Sequence, residues 1–323
     1  MTYDRGVVVV TSRSFGSGVS VAMQKLEDSG CTAVRLAPGH AIDELAPALA
    51  HAVGWIAGTG PVDDTRLALA PNLRVLARYG VGVDNVDLVS AAGRSVVVTN
   101  TPGANSSAVA EHTVALLLSS LRGIPDANRR VREGDWSPTL ARELSSLTVG
   151  IVGLGRIGRG VIERISSFGA TLLGVDPYLA EDDPLFTLVG RRTLAELAHE
   201  CDIVTLHAPG GITVLDSDWL AASERPVGVV NTARADLIDE SALIAALRIG
   251  RVQFYAADAL LVEHRSDSVS PLLAPEFENR VVITPHLAAQ TREAIDSMST
   301  MAVDNVLAVL SGQAPPNAVC LTA

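Results

Sequence analysis

The sequence predicts an α/β protein that folds as two doubly wound parallel sheets. Short runs of β-branched residues alternate along the chain with stretches rich in Ala and Leu that carry a helical period. Some of these runs, such as residues 148–152 and 227–230, are apolar almost throughout, which is typical of parallel strands covered on both faces. The chain has 323 residues, 48% of them hydrophobic, and this is more than one hydrophobic core usually holds. We therefore expect two domains.

The predicted elements fall into two series with a helix between them. The helix is a run without Pro or Gly at residues 109–122, and a last helix near residues 291–311 ends at Gly312. The first series has predicted helices at 19–28 and 42–52 and predicted strands at 6–11, 55–59, 73–79 and 95–100. The second series has predicted strands at 148–154, 171–176, 202–207, 227–232, 253–258 and 281–284.

Charge and cysteine content restrict the class of protein. The chain carries 36 Asp and Glu against 25 Lys and Arg, a formal charge of −11. Such a surface repels nucleic acids and anionic membranes, so we expect neither as a partner, and an anionic substrate requires a local cluster of Arg and backbone N–H groups. The three cysteines have no disulfide or metal-ligand spacing. Since the sequence also lacks a signal-peptide pattern and a membrane-spanning apolar run, we expect a cytosolic protein without a metal site.

A glycine-rich turn follows the predicted strand at residues 148–152. The run GLGRIG at residues 153–158 opens a helical pattern, and in this context each glycine has a mechanical role. Gly153 makes the turn, Gly155 lets the backbone approach a pyrophosphate, and Gly158 lets the helix pack on the strand. The helix N-terminus adds N–H donors and a positive dipole end. The pattern predicts a Rossmann dinucleotide-binding domain.

An acidic residue ends the next predicted strand. Asp176 lies 18 residues after Gly158, where a carboxylate accepts hydrogen bonds from the ribose hydroxyls and repels a 2′-phosphate. Pro177 and Tyr178 follow it, with no Arg beside it, so the sequence favours NAD over NADP. Two other interpretations of the motif stay open. One is a structural glycine turn with Asp176 as a loop cap, and the other is a flavin or S-adenosyl ligand on the same fold.

Three polar residues in the second series follow apolar strands: Arg234, Glu263 and His286. Removal of a hydride from a carbinol carbon requires a base for the hydroxyl proton, and the reverse reaction requires an acid; His can serve as both. A carboxylate orients such an imidazole, and a guanidinium binds a substrate carboxylate bidentately. Taken singly, the three could instead be an ion-pair partner, a loop cap and a core histidine. Together they predict a dehydrogenase site at the carboxyl ends of the strands.

The chain as a whole resembles the D-isomer-specific 2-hydroxyacid dehydrogenases, a family that includes D-3-phosphoglycerate dehydrogenases, glyoxylate and hydroxypyruvate reductases and D-lactate dehydrogenases. The intervals of 29 residues from Arg234 to Glu263 and 23 residues from Glu263 to His286 agree with the family pattern. Beyond the glycine turn, the matching stretches are GVGVDNVD at 80–87, NTPG at 100–103, VAEHT at 109–113, LHAP at 206–209, NTAR at 231–234 and TPH at 284–286.

The resemblance implies a role for each site residue. Arg234 would bind the substrate carboxylate and orient the carbonyl, His286 would be the acid and base, and Glu263 would be the partner of His286. Backbone N–H groups of Val81 and Gly82 would also bind the substrate carboxylate. His207 could equally hold the loop that contains it. With that residue included, the expected contacts of NAD are Gly153, Gly155, Arg156, Ile157, Gly158, Asp176, His207, Thr232, Asp258 and Thr113.

The resemblance also implies a domain division and a partner. Residues 1–104 together with 290–323 would form a smaller, flavodoxin-like substrate domain, and residues 105–289 the NAD-binding Rossmann domain. The helix and arm that begin at Val109 and end at Trp136 would make a twofold contact, so we expect a homodimer. The implied substrate is a small 2-hydroxy or 2-oxo acid, including phosphorylated and phosphonate acids.

Four positions depart from the family pattern. Ala235 stands where Gly usually follows the catalytic Arg, and His264 replaces the usual Pro after the catalytic Glu. The segment after His207 is about three residues shorter than usual and reads Pro-Gly-Gly at 209–211, and Gln290 is unusual. These changes put the substrate in question more than the chemistry. Two alternatives therefore stay open: a non-catalytic NAD(H)-sensing interaction protein, and a dehydrogenase for an unusual anion such as phosphite or a phosphonate aldehyde.

Overall fold

The computed structural model describes residues 5–18, 21–261 and 269–320. The chain divides into two compact units: the first is Met1–Asn105 with Ala289–Ala323, and the second is Ser106–Ala288. Each unit contains one parallel sheet, so the predicted fold class of two parallel α/β sheets is confirmed. In the described part of the chain, no helix combines the length and the apolar character needed to cross a membrane.

The first unit is a five-stranded parallel sheet with helices. Its elements are β1 Gly6–Val10, α1 Ala22–Asp28, β2 Cys31–Arg35, α2 Ile42–Leu49, β3 Ala52–Ala57, α3 Asp64–Ala68, β4 Val75–Arg78, α4 Leu88–Gly93, β5 Val97–Thr99 and, from the C-terminal segment, α11 Arg292–Leu310. The strand order is β2-β1-β3-β4-β5. Strand β2 is added on one side of β1 and strands β3 to β5 on the other, as in flavodoxin-like sheets.

Strand β2 and the short helices α3 and α4 were not predicted from the sequence, whereas helix α11 was. Strand β2 was missed, because its sequence CTAVR has no long apolar run and only Cys31 is buried. This strand lies at the edge of the sheet, where one side needs little apolar cover. Helix α11 agrees with the predicted C-terminal helix: Thr291 caps it by accepting a hydrogen bond from the Ala294 N–H at 3.2 Å. Its buried residues, including Ala302, pack against β3 and β4.

The second unit is a seven-stranded parallel sheet with helices. Its elements are α5 Ser106–Leu121, α6 Ile124–Arg132, β6 Thr148–Val152, α7 Arg156–Ser166, β7 Thr171–Val175, β8 Gly190–Arg191, α8 Leu194–Glu200, β9 Ile203–Leu206, α9 Ser217–Ala222, β10 Val227–Asn231, α10 Glu240–Arg248, β11 Val252–Ala257 and β12 Val281–Ile283. The order β12-β11-β10-β9-β6-β7-β8 is that of a Rossmann sheet, with its switch point between β6 and β9.

Both faces of the second sheet are buried, which explains the nearly continuous apolar strands. Val229 belongs to the core that packs under α8, α9 and α10, whereas its neighbour Val230 belongs to the core under α5 and α7. Successive strand residues point to opposite faces of the sheet, so both odd and even positions of a strand must be apolar when both faces are buried. The six predicted strands are present. Strand β8 was not predicted because it has only two residues. Helix α6 was not predicted because five of its nine residues are Asp, Asn or Arg and none of the nine is buried.

Candidate functional site

The last residues of six neighbouring strands of the second unit are paired with one another across the sheet, and together they form what we call the register row. The paired residues of that row are Val175, Val152, Leu206, Asn231, Ala257 and Ile283. The residues that follow them directly in the sequence are Asp176, Gly153, His207, Thr232, Asp258 and Thr284. Five of these six are predicted cofactor residues. The row therefore places them along the carboxyl edge of one sheet, across the switch point where open α/β sheets bind ligands.

The glycine turn after β6 forms a cradle for a phosphate group. Gly153 has a φ of 90°, and a Cβ there would lie 2.7 Å from the carbonyl carbon of His207. A Cβ at Gly158 would overlap the carbonyl oxygen of Gly153, so both positions require glycine. At Gly155, by contrast, a Cβ would meet no described atom within 4 Å. Gly153 and Gly158 close the turn, and Gly155 leaves its surface open, which fits a dinucleotide pyrophosphate.

The first turn of α7 and Asp176 frame this cradle. Helix α7 begins at Arg156, and its first N–H groups have no acceptor within the helix. Arg156 is exposed beside Ile157, which is half-buried. The Asp176 carboxylate accepts hydrogen bonds from the N–H groups of Leu154 at 2.8 Å and Tyr178 at 2.9 Å. These bonds fix the carboxylate and leave each oxygen a further lone pair for a ribose hydroxyl.

Thr232 and Thr113 meet through their hydroxyl groups. The Oγ1 atoms are 2.7 Å apart, and Thr113 also donates to the carbonyl of Val109 at 2.8 Å. Because the single Thr113 proton is used in that bond, Thr232 is the donor between the two hydroxyls. The contact brings helix α5 to the end of β10, as expected if both residues line one side of the cofactor.

His207 is a neutral histidine. Its Nε2 lies 3.0 Å from the Thr205 hydroxyl, and burial lowers its pKa to about 3. Although part of the residue is exposed, Nδ1 is enclosed and has no hydrogen-bond partner among the described residues. An enclosed nitrogen of this kind is satisfied by a ligand or a water molecule. The low pKa excludes His207 as a proton donor near neutral pH.

Asp258 holds the loop that carries His286. Asp258 is 3% exposed and accepts three hydrogen bonds: from the Thr284 hydroxyl at 2.5 Å, the Leu287 N–H at 2.9 Å and the Ala288 N–H at 2.8 Å. These donors lie on both sides of His286, which has a φ of 51°. A non-glycine residue in the left-handed region is strained and needs support from its surroundings. The three bonds to Asp258 provide that support.

His112 joins the same network from helix α5. Its Nε2 lies 3.0 Å from the Thr284 hydroxyl and 3.6 Å from the Asp258 carboxylate. Because Thr284 donates its proton to Asp258, His112 is the donor to the Thr284 oxygen. Neither residue was predicted to have a role of its own, although both belong to stretches that match the family. The position of Thr284 directly after a strand was a usable signal, whereas nothing in the sequence indicated the contact of His112.

Arg234 is fixed at the end of β10 by its own turn. The Asn231 side chain accepts a hydrogen bond from the Ala233 N–H at 3.0 Å and donates one to the Arg234 carbonyl at 2.8 Å. The guanidinium donates to the Ala233 carbonyl at 3.0 Å, and the side chain is half-buried. Asn231 therefore sets the direction of Arg234, a role that was not predicted from the sequence.

Val81 and Gly82 lie in the loop after β4 of the first unit. Asn100 donates from its side chain to the Val81 carbonyl at 2.8 Å, and Gly80 donates from its N–H to the Thr101 hydroxyl at 3.0 Å. In the described part of the chain, neither the Val81 nor the Gly82 N–H donates a hydrogen bond. Consecutive N–H groups of this kind are suited to bind an anion.

The remaining predicted residues have no described position. Glu263 and its neighbour His264 lie outside the described residues, so the predicted pairing of Glu263 with His286 stays a prediction. Within residues 5–18, 21–261 and 269–320, no group of three or more His, Cys, Asp and Glu side chains could hold a metal ion.

Comparison with known proteins identifies the family. Residues 114–288 match the NAD-binding domain of the D-isomer specific 2-hydroxyacid dehydrogenases, and this stretch is more than half of the chain. The chain belongs to that family. The second unit is therefore the NAD-binding domain of a D-isomer specific 2-hydroxyacid dehydrogenase, which confirms the resemblance and the predicted cofactor.

The relatives of this family member include enzymes with different substrates. The D-3-phosphoglycerate dehydrogenase of Mycobacterium tuberculosis is 36% identical over 97% of this chain, and the chain spans 58% of that protein's length. The glyoxylate reductase of Korarchaeum cryptofilum is 35% identical over 81% of this chain and 80% of its own length. A Thermus thermophilus protein of known structure has a TM-score of 0.84 and 34% identity over 97% of this chain and 100% of its own.

Proposed function

We propose that the protein is an NAD-dependent oxidoreductase that transfers a hydride between the nicotinamide ring and carbon 2 of a small 2-hydroxy or 2-oxo acid. The observation that carries the proposal is the register row. It aligns the Gly153 cradle and Asp176 with Thr232 and Thr284, and each of these two threonines is followed two residues later by Arg234 or His286. A cofactor cradle and an acid and base on one sheet edge are what this chemistry needs.

The chain's own residues would bind the acid and move one proton. NAD supplies or accepts the hydride when it is bound. Arg234 binds the substrate carboxylate bidentately and polarises the carbonyl. The family resemblance implies that the N–H groups of Val81 and Gly82 are further donors to the substrate carboxylate. The His286 imidazole accepts the hydroxyl proton during oxidation and returns it during reduction, with Glu263 as its partner. His207 is unsuited to the role of His286, because burial lowers its pKa to about 3 and makes it both a weak base for oxidation and an unprotonated group in reduction.

The preference for NAD over NADP rests on Asp176. Its carboxylate is held at the end of β7 by two backbone N–H groups, so it cannot turn away from the ribose without losing both bonds. A 2′-phosphate would therefore meet a fixed negative charge. Tyr178, exposed beside it, offers no positive charge in compensation.

Purified protein should oxidise NADH in the presence of at least one 2-oxo acid. The test measures the loss of NADH absorbance with a panel that contains glyoxylate, hydroxypyruvate and longer, phosphorylated and phosphonate 2-oxo acids, each repeated with NADPH. We expect kcat/KM to be at least about tenfold higher with NADH, since tenfold corresponds to about 1.4 kcal/mol and placing a phosphate against a fixed carboxylate costs more than that. Tight NADH binding without turnover of any acid would contradict the proposal and favour an NAD(H) sensor. NAD reduction by phosphite alone would reassign the substrate.

We also propose a homodimer formed through α6 and the arm that follows it. Helix α6 has no buried residue, and the arm exposes 79% of Trp136 and 99% of Leu140. A contact with a second copy would remove both of these large apolar side chains from water. A second copy is the occupant that the family resemblance implies.

The double variant W136D/L140D should be a monomer. The two Asp side chains would be buried without a partner in the contact, and twofold symmetry would place the same two charges on the other copy, so the dimer would be destabilised. Sedimentation velocity of the wild type and the variant measures the change in mass. As a control, V89D changes an equally exposed valine on α4, which is 74% exposed, and should leave the dimer intact. A monomeric wild type, or a W136D/L140D dimer, would refute this interface.

A further inference from the structure

The short loop after His207 is held by an acidic residue that follows Arg234. The Asp236 carboxylate accepts a hydrogen bond from the Gly211 N–H at 2.7 Å, and Gly211 has a φ of 93°. Two residues on, the Thr213 hydroxyl donates to the Asp236 carbonyl at 3.4 Å, and the Val214 N–H donates to the Leu237 carbonyl at 2.8 Å. The loop is thus fastened along the turn that Arg234 begins.

Gly210 brings the backbone of this loop against the side chain of Arg234. A Cβ at position 210 would lie 3.1 Å from Cγ of Arg234 and 3.1 Å from Oδ1 of Asp236. Both distances are shorter than ordinary contacts of a Cβ atom. A side chain at position 210 would therefore press on the Arg234 stem and on the Asp236 carboxylate, and both would have to move by a few tenths of an ångström to accept it.

We propose that Gly210 and Asp236 are positioning residues for Arg234. The inference rests on the proposed function, in which Arg234 binds the substrate carboxylate. Asp236 holds the loop by its bond to Gly211, and the backbone of Gly210 then restricts the rotamers of the Arg234 stem, so that the guanidinium is presented in one direction. This arrangement gives one of the sequence departures, the Pro-Gly-Gly loop at 209–211, a structural role beside Arg234.

The first test removes and then restores the bond between Asp236 and the loop. D236A loses the acceptor for the Gly211 N–H, and we expect KM for the best 2-oxo acid to rise about tenfold, because a bidentate contact is sensitive to displacements well below 1 Å. D236N retains an acceptor oxygen and should keep KM within about threefold of the wild type. The NADH Kd and the Tm, measured by fluorescence and calorimetry, should change little in either variant.

The second test crowds the same contact from the other side. G210A should also raise KM about tenfold, because its Cβ pushes the loop away from Arg234. The double variant G210A/D236A should have a KM close to that of the more impaired single variant, since both changes displace the same loop. G93A is the matched control, because a Cβ there would meet no described atom within 4 Å. It should leave KM unchanged.

The outcomes separate this inference from the proposed function. If the wild type reduces no 2-oxo acid, the proposed function fails. If the wild type is active but D236A keeps the wild-type KM, or D236N is as impaired as D236A, the positioning role is wrong and the function stands. A D236A variant that loses activity only in proportion to a lower Tm would likewise overturn the positioning role.

Discussion

Replacing His286 with Asn should lower kcat for 2-oxo acid reduction by about 10²- to 10⁴-fold, the usual contribution of a general acid, and leave the NADH Kd unchanged. Asn is the informative substitution because His286 has a φ of 51°, and Asn adopts the left-handed conformation more readily than most residues. The loop should therefore keep its shape while the proton donor is lost. Steady-state kinetics and a fluorescence titration with NADH measure the two quantities.

Two further variants make the result specific. H286A should be less stable than H286N, because Ala lacks a short polar side chain that supports a positive φ. H51N makes the same chemical change at an exposed histidine of the first unit and should leave kcat unchanged. An H286N variant with kcat within about threefold of the wild type would remove His286 from the mechanism, whatever its effect on stability.

Replacing Asp258 with Asn should lower kcat about 100-fold and the free energy of unfolding by about 1–3 kcal/mol, the cost of an unsatisfied buried polar group. All three described groups that Asp258 contacts at hydrogen-bond distance are donors, namely the Thr284 hydroxyl and the N–H groups of Leu287 and Ala288. In either orientation the amide of Asn points an N–H group toward a donor. The loop would then lose the support for the backbone of His286, and the imidazole its position.

The NADH Kd distinguishes this role of Asp258 from the one that the family resemblance implies. If Asp258 acts mainly through the His286 loop, D258N keeps the Kd within about threefold; if it acts mainly on the cofactor, the Kd rises and kcat at saturating NADH is retained. T284S preserves the hydroxyl that donates to Asp258, whereas T284V removes it. Of these two, only T284V should lower kcat.

The strand ends and the residues after them could be predicted from the sequence because each depends on local pattern. A nearly continuous apolar run such as residues 227–230 indicates a buried strand, and the polar residues that follow it are expected at the carboxyl edge of the sheet. Strand β2 and helix α6 were not predicted because few of their residues are buried, so neither contains a long apolar run.

The contacts that position the predicted residues could not be predicted. His112 and Thr284 are 172 residues apart, and Gly211 and Asp236 are 25 residues apart, with no pattern that links either pair. Such contacts follow from the register of the strands and the length of the loops, which are properties of the folded sheet. The predicted role of Glu263 is supported by its spacing to both Arg234 and His286.

Helix α5 has a consequence for how substitutions far from the reacting atoms are interpreted. Its consecutive residues His112 and Thr113 reach two different loops, the first at the end of β12 and the second at the end of β10. The helix also starts at Ser106, directly where the chain leaves the first unit. A substitution that shifts α5 along its axis would therefore disturb nucleotide affinity and turnover together. Correlated losses of both quantities are the signature of a displaced helix rather than of a missing catalytic group.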